Sequence, residues 1–278
     1  LTIVFNVLLI PRLGTLGAAL GTIASSTLVS AYGLWRMTNP NSVIHLEPGW
    51  SKAPDLKIIR ELFRFGLPTG VQGIAMNVAG VFLLRFIGSL PQSAAAQAAY
   101  AVGYTELFSL ITWTSVGLMG ATAAIAGQNL GAGRPDRVIE GVWVASRIGL
   151  GAAIAVGLLF LAVPKLLLAL FGMQDPVVLA LGQQLLRYLA LSGLFITVAL
   201  CFTGALQGTG DTRGPLYISI VSQIVVPLGI CATLQATRGL TAGGIWTAIV
   251  LGHMTRCGLS VARFRLQKWR AIQVAIPS

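Results

Sequence analysis

Residues 148–163 read IGLGAAIAVGLLFLAV, without a single charge. In the wider run 142–171 only Arg147 and Lys165 are ionised. An α-helix rises about 1.5 Å per residue, so such a run crosses the ~30 Å hydrocarbon layer of a bilayer. A helix half-facing water would carry a polar stripe of comparable width. This stretch carries none, and predicts a helix surrounded by lipid and by other helices.

Similar runs recur at about 15–37, 62–90, 95–126, 184–207, 215–236 and 241–263, and residues 1–10 read as the tail of one more. The composition agrees: 55% of residues are hydrophobic, 10% are charged and the mean hydropathy is +0.80. A soluble domain carries about 25% charged residues, so there is too little charge here to coat a water-facing surface. The expected fold class is an all-α integral membrane bundle. Thirty-three glycines suit helices that approach closely in lipid. Cys201, Cys231 and Cys257 lie in apolar stretches without metal-ligand spacing and read as small core residues. The chain opens at Leu1 inside an apolar run, with neither Met nor a charged leading segment. That reads as a chain lacking its true start, not as a signal peptide.

The net charge of +11 does not point to nucleic acid, because the basic residues sit at the ends of the runs and form no patch. Counted by side, 14 of the 19 Lys and Arg fall on one face of the predicted membrane: Arg36 to Arg64, Arg134 to Arg147, Arg213, and the group from Arg256 to Arg270. The other face has Arg12, Arg85, Lys165, Arg187 and Arg238. Positive charge is retained in the cytoplasm, which places the C-terminus and the Pro-rich segment 38–60 there. A faint repeat recurs at an offset of 226 residues: Arg12, Thr15 and Gly17 match Arg238, Thr241 and Gly243. Halves of about six spans would follow from it, a common transporter plan.

Four motifs carry a family resemblance: PRLGTLGAAL at 11–20, FGLP at 65–68, GQNLGAGRP at 127–135 and QGTGDTR at 207–213. Together they resemble the multidrug and toxic compound extrusion (MATE) family in order and spacing. The resemblance implies twelve helices in two six-helix lobes, with this chain covering the end of helix 5 through helix 12. Residues 1–37 would close the N-terminal lobe, 38–60 link the lobes, 61–265 form the C-terminal six-helix lobe and 266–278 a cytoplasmic tail. It further implies a monomeric multi-pass protein of the plasma (inner) membrane. It would export cationic or amphipathic organic compounds in exchange for H⁺ or Na⁺, with no other cofactor.

Glu106 is the acid that the pattern places deep within a span, about 6 Å from its centre. Insertion scales put the cost of such a residue at about 2.5–3.5 kcal/mol, and intramembrane acids usually serve transport. Helical spacing puts Gly103, Ser109, Leu110 and Trp113 on its face. A carboxylate beside the Trp113 indole suits an organic cation. The bland alternative pairs Glu106 with Arg85. By the resemblance, Glu106 stands where proton-coupled eukaryotic members carry a glutamate on helix eight. Met76-Asn77 and Ile196 stand where Na⁺-coupled members carry acids, so that Na⁺ site is not expected to be complete in this lobe. Gln72 and Asn77 are the expected cavity residues on helix seven, and Gln97, Gln207 and Gln223 read as interhelical hydrogen-bonding residues. His253 reads as a packing histidine and Asp211 as a turn or helix cap.

No Ser/His/Asp set, metal cluster or phosphate loop stands out, so enzymatic chemistry is not expected. Two competing readings are a lipid-linked oligosaccharide flippase, which would want several cationic residues in its cavity, and an inactive fragment or half-transporter.

Overall fold

The structure is a computed structural model that describes residues 1–39, 42, 55–237 and 239–271. It divides into two compact units, Leu1–Leu56 and Lys57–Ser278. Most of segment 38–60, with Glu47, Pro48 and Lys52, lies outside the described residues, as does Arg238.

The first unit is built on α1, Thr2–Met37. A straight helix of that length would span about 54 Å, far more than a bilayer. Its helical geometry breaks at Gly14 (φ 57°, ψ −134°), a conformation that only glycine adopts without strain. There the chain reverses. Thr2 Oγ1 and Ser25 Oγ share a hydrogen bond of 2.7 Å, a Cβ on Gly21 would strike Asn6, and one on Gly17 would strike the Leu9 carbonyl. The two arms therefore run antiparallel in contact. Gly17→Leu should force the arms apart at a cost of about 1–3 kcal/mol. A disulfide between cysteines placed at Thr2 and Ser25 measures this: it should form readily, and be lost when Gly17→Leu is added.

The second unit is a helical bundle of α2 (Leu56–Gly88), α3 (Ser93–Tyr100), α4 (Ser109–Gly131), α5 (Pro135–Ala162), α6 (Pro164–Ala169), α7 (Pro176–Gly208), α8 (Arg213–Ile220), α9 (Val226–Thr237) and α10 (Ala242–Arg265). Widened π-helical turns, Ala101–Leu107 and Val221–Val225, join α3 to α4 and α8 to α9. Each of these joined pairs forms one span. Six helices among the described residues are long and apolar enough to cross a membrane. α10 is not one of them, although the sequence suggests a span there. It is long enough, but His253 and Arg256 make it less apolar.

Most helices start earlier than the apolar runs suggest, two of them at prolines outside those runs. α7 begins at Pro176, where Asp175 accepts the Val177 and Val178 N–H groups at 2.8 and 3.0 Å. α5 begins at Pro135, and the run 142–171 is broken at Val163 because Pro164 starts α6. The two sequence motifs between helices are turns. Gly133 takes φ 69° at the end of α4 while the Arg134 N–H reaches the Asn129 carbonyl at 2.8 Å. Gly210 takes φ 91° after α7, and Asp211 accepts the Gly214 N–H at 3.0 Å and Arg263 Nε at 2.8 Å. The second repeat motif likewise precedes a helix, with Thr241 capping α10 through the Gly244 N–H at 3.2 Å.

α7 is the axis of the bundle and packs against α4, α5 and α10. Gly204 and Gly208 on α7 face Met119, Thr122 and Ala123 on α4, and Gly127 faces the Gly208 carbonyl. Backbones in such contact also exchange polar bonds: Thr122 Oγ1 donates to the Cys201 carbonyl at 3.0 Å, and Ser115 bonds Thr197 at 2.8 Å. The segment read as a tail from residue 266 is not free where it is described. Trp269 is buried, stacks on Phe264 and donates from Nε1 to the Phe264 carbonyl at 2.9 Å.

Candidate functional site

A cavity of about 860 Å³ opens within the second unit between α2, the α3–α4 span, the α8–α9 span and α10. A smaller one of about 320 Å³ adjoins it and shares Met76, Tyr104, Thr112, Gln223 and His253 as walls. Cavities of this size hold drug-sized ligands. Both π-helical turns border the larger cavity, presenting Tyr104 from one and Ser222 and Gln223 from the other. In the first turn the Phe108 N–H bonds the Gly103 carbonyl, five residues back, at 3.0 Å. Such turns recur at functional sites.

The aromatic wall is continuous. Tyr100 stacks on Trp246 (6.2 Å between centroids) and on Tyr104 (4.9 Å), Tyr104 meets Phe108 (5.5 Å), and Phe108 stacks on His253 (5.9 Å). Spacing explains it. Tyr100, Tyr104 and Phe108 follow each other at four-residue intervals on one span, while Trp246 and His253 are two turns apart on α10. His253 Nδ1 also bonds Ser192 Oγ at 2.8 Å. It is thus a packed histidine, as the sequence suggests, and it also lines both cavities.

Of the expected cavity residues, Gln72, Asn77 and Trp113 are brought together. Gln72 is buried, donates Nε2 to Ser219 Oγ at 2.7 Å and accepts from Gln207 Nε2 at 3.3 Å. It therefore joins α2, α7 and α8 while lining the smaller cavity. Asn77 and Trp113 line the larger one and are exposed to it. Ser109 is not in either wall; its hydroxyl bonds the Glu106 carbonyl.

Glu106 differs from expectation in its surroundings. It lies in the π-helical turn, is exposed on the surface of this unit and borders neither cavity. It makes no ion pair with Arg85. Leu110 and Trp113 share its exposed side, whereas Gly103 is buried against Leu185. The sequence reading used a constant 3.6-residue turn, and the π turn shifts that phase.

Sequence reasoning missed Tyr104, Thr112 and above all Arg256. It counted Arg256 with the cytoplasmic tail. The structure places it inside α10, 3% exposed, on the wall of the smaller cavity. The signal was available, because Arg256 falls within the run 241–263.

The MatE family model matches residues 68–233. A protein named "Probable multidrug resistance protein NorM" from Deinococcus radiodurans is 32% identical over 96% of this chain and 58% of its own length. A namesake from Brucella suis is 28% identical over 95% of this chain and 56% of its own length. The chain thus spans somewhat over half the length of these curated relatives. A solved multidrug resistance MATE family transporter of the MOP superfamily, in an outward-facing conformation, superposes with a TM-score of 0.86 at 20% identity. The match covers 98% of this chain and 62% of that one, and shows a common fold.

Proposed function

The chain belongs to the MatE family, whose model matches more than half of it, and on that premise we propose that it carries the C-terminal lobe of a two-lobed secondary active exporter of cationic or amphipathic organic compounds. The observation that carries the reading is the cavity walled by Tyr100, Tyr104, Trp113, Asn77 and Gln223 inside a bundle of membrane-length helices. Aromatic faces and neutral amides bind diverse flat, apolar and cationic molecules without demanding one shape. The relatives named for multidrug resistance support the same reading.

In this reading transport proceeds by alternating access of two helical lobes, against inward movement of H⁺ or Na⁺. The protein is a multi-pass monomer of the cytoplasmic (inner) membrane with its C-terminus in the cytoplasm. Of the basic residues that set this orientation, Arg256 no longer counts, but Arg134, Arg137, Arg213, Arg263, Arg265, Lys268 and Arg270 all remain at one end of the spans.

Coupling is assigned to Glu106. Because its side chain is exposed, Glu106→Gln removes a charge without disturbing the core, which makes the test clean. Export of a fluorescent organic cation by the product of the complete gene, in proteoliposomes with pH and Na⁺ gradients varied separately, should be driven by the proton gradient. Export by Glu106→Gln should fall to near the rate seen without a proton gradient, because a glutamine cannot take up and release the coupled proton. Unchanged proton-driven export would take Glu106 out of the mechanism. Movement of a lipid-linked sugar, with no export of cations, would favour the flippase reading.

A further inference from the structure

We propose that the smaller cavity holds a subsite for an oxoanion, centred on Arg256, which receives the carboxylate or phosphate of an amphipathic molecule. The proposal deepens the export reading, on which it rests, by naming a chemical group of the cargo.

Arg256 lies about 14 Å along α10 from Arg265, well inside the lobe. Its side chain is 97% buried, yet its Nε has no hydrogen-bond partner. Among the described residues no hydrogen bond or ion pair reaches its guanidinium. Buried charges are otherwise paired or hydrogen-bonded. Among the described residues no Asp or Glu lines either cavity, and the one formal charge on their walls is that of Arg256. A guanidinium is a planar fork of donors that matches a carboxylate or phosphate in two parallel bonds.

The neighbours complete the subsite. Gln72 and Gln207 line the same cavity, linked to each other, and supply amides to its wall. Tyr104 and Phe108 wall it with aromatic rings. It shares walls with the larger cavity, where Trp113 offers an indole face. A molecule with a cationic or apolar ring system and an acidic group would place the ring at Trp113 and Tyr104 and the acid at Arg256. A purely cationic compound would be repelled from the neighbourhood of Arg256. One arginine is too few for the several phosphate-holding cations that a flippase cavity requires.

The test uses a matched dye pair, rhodamine 110, which carries a free carboxylate, and its methyl ester rhodamine 123, which does not. Binding to the product of the complete gene is read by fluorescence anisotropy, apart from any transport. The wild-type protein should prefer the acid over the ester. Arg256→Gln should weaken the acid by about thirtyfold, the usual worth of a hydrogen-bonded charge, and leave the ester unchanged. Arg256→Lys should keep part of the preference, since the charge remains without the fork. Equal loss for both dyes would mark Arg256 as a packing residue and overturn the proposal while leaving export intact. No preference in the wild type, or no binding of either dye, would overturn it as well. Repeating the titration in phosphatidylcholine with and without phosphatidylglycerol identifies the source of the group. Competition by phosphatidylglycerol against the acid alone, abolished in Arg256→Gln, would support the subsite and assign it to a lipid headgroup. A cavity where dye export fails but the Arg256-dependent preference persists would refute export and keep the subsite.

Discussion

Gly208→Val is expected to remove folded protein from the membrane. A Cβ at Gly208 would meet the carbonyl, carbonyl carbon and Cα of Ala123 on α4, all of them backbone. Backbone cannot move aside as a flexible side-chain end can, so α4 and α7 must separate. Separation would also stretch the Thr122 bond to the Cys201 carbonyl and the Ser115–Thr197 pair. Overpacking alone costs about 1–3 kcal/mol, and the lost polar bonds add about 1 kcal/mol each. Marginal stability is about 5–15 kcal/mol, so a large share of it is lost at the axis of the bundle. Gly204→Leu should act similarly, because its Cβ would meet the Met119 carbonyl. Gly258→Ala is the control, with open space around it. Monodispersity of detergent-extracted protein on a sizing column reads the outcome. Wild-type yield from Gly208→Val would show that the α4–α7 contact is not as close as described.

Asp211→Ala should cost about 2 kcal/mol. Asp211 is 6% exposed and holds two groups at once, the first turn of α8 through the Gly214 N–H and the end of α10 through Arg263. Removing one partner of a fully buried pair costs about 3–5 kcal/mol. The Arg263 side chain is 36% exposed, so solvent screens part of that. Arg263→Gln should cost less, about 1 kcal/mol, because Asp211 keeps its backbone donor. The double change should cost less than the sum of the two. A thermal-unfolding cycle in detergent measures all three. Strict additivity would mean that the ion pair contributes nothing.

The spans were legible because apolar length is a property of the sequence alone. Their starts were not, since Pro135 and Pro176 with the Asp175 cap lie outside the apolar runs and extend the helices beyond them. The turn motifs at 127–135 and 207–213 were legible as breaks, and Asp211 as a cap. The π-helical turns were not legible. Tyr100–Leu107 has an ordinary helical sequence, and the widening goes with the stacking of Tyr104 on Tyr100 and of Tyr100 on Trp246 of α10. That widening misplaced Gly103 on the face of Glu106. Gln72 and Asn77 were found from their polarity and from what the family resemblance implies for helix seven, and Trp113 from helical phase. Arg256 was missed because a basic residue near the end of a span looks like a topology signal until the burial of α10 is known.

α10 has a consequence for how the protein is made. Its first 18 residues contain His253 and Arg256, and on insertion scales an arginine near a helix centre opposes entry by about 2.5–3.5 kcal/mol. The ribosome releases this segment after α1 to α9, when those helices are already in the bilayer. Gly252 lets it approach the Ser222 carbonyl, and Trp246 offers Tyr100 a face to stack on. This helix is thus recruited by its neighbours rather than delivered by the translocon on its own hydrophobicity. Biogenesis would then include a docking step, and damage to the α8–α9 span would strand α10 outside the membrane.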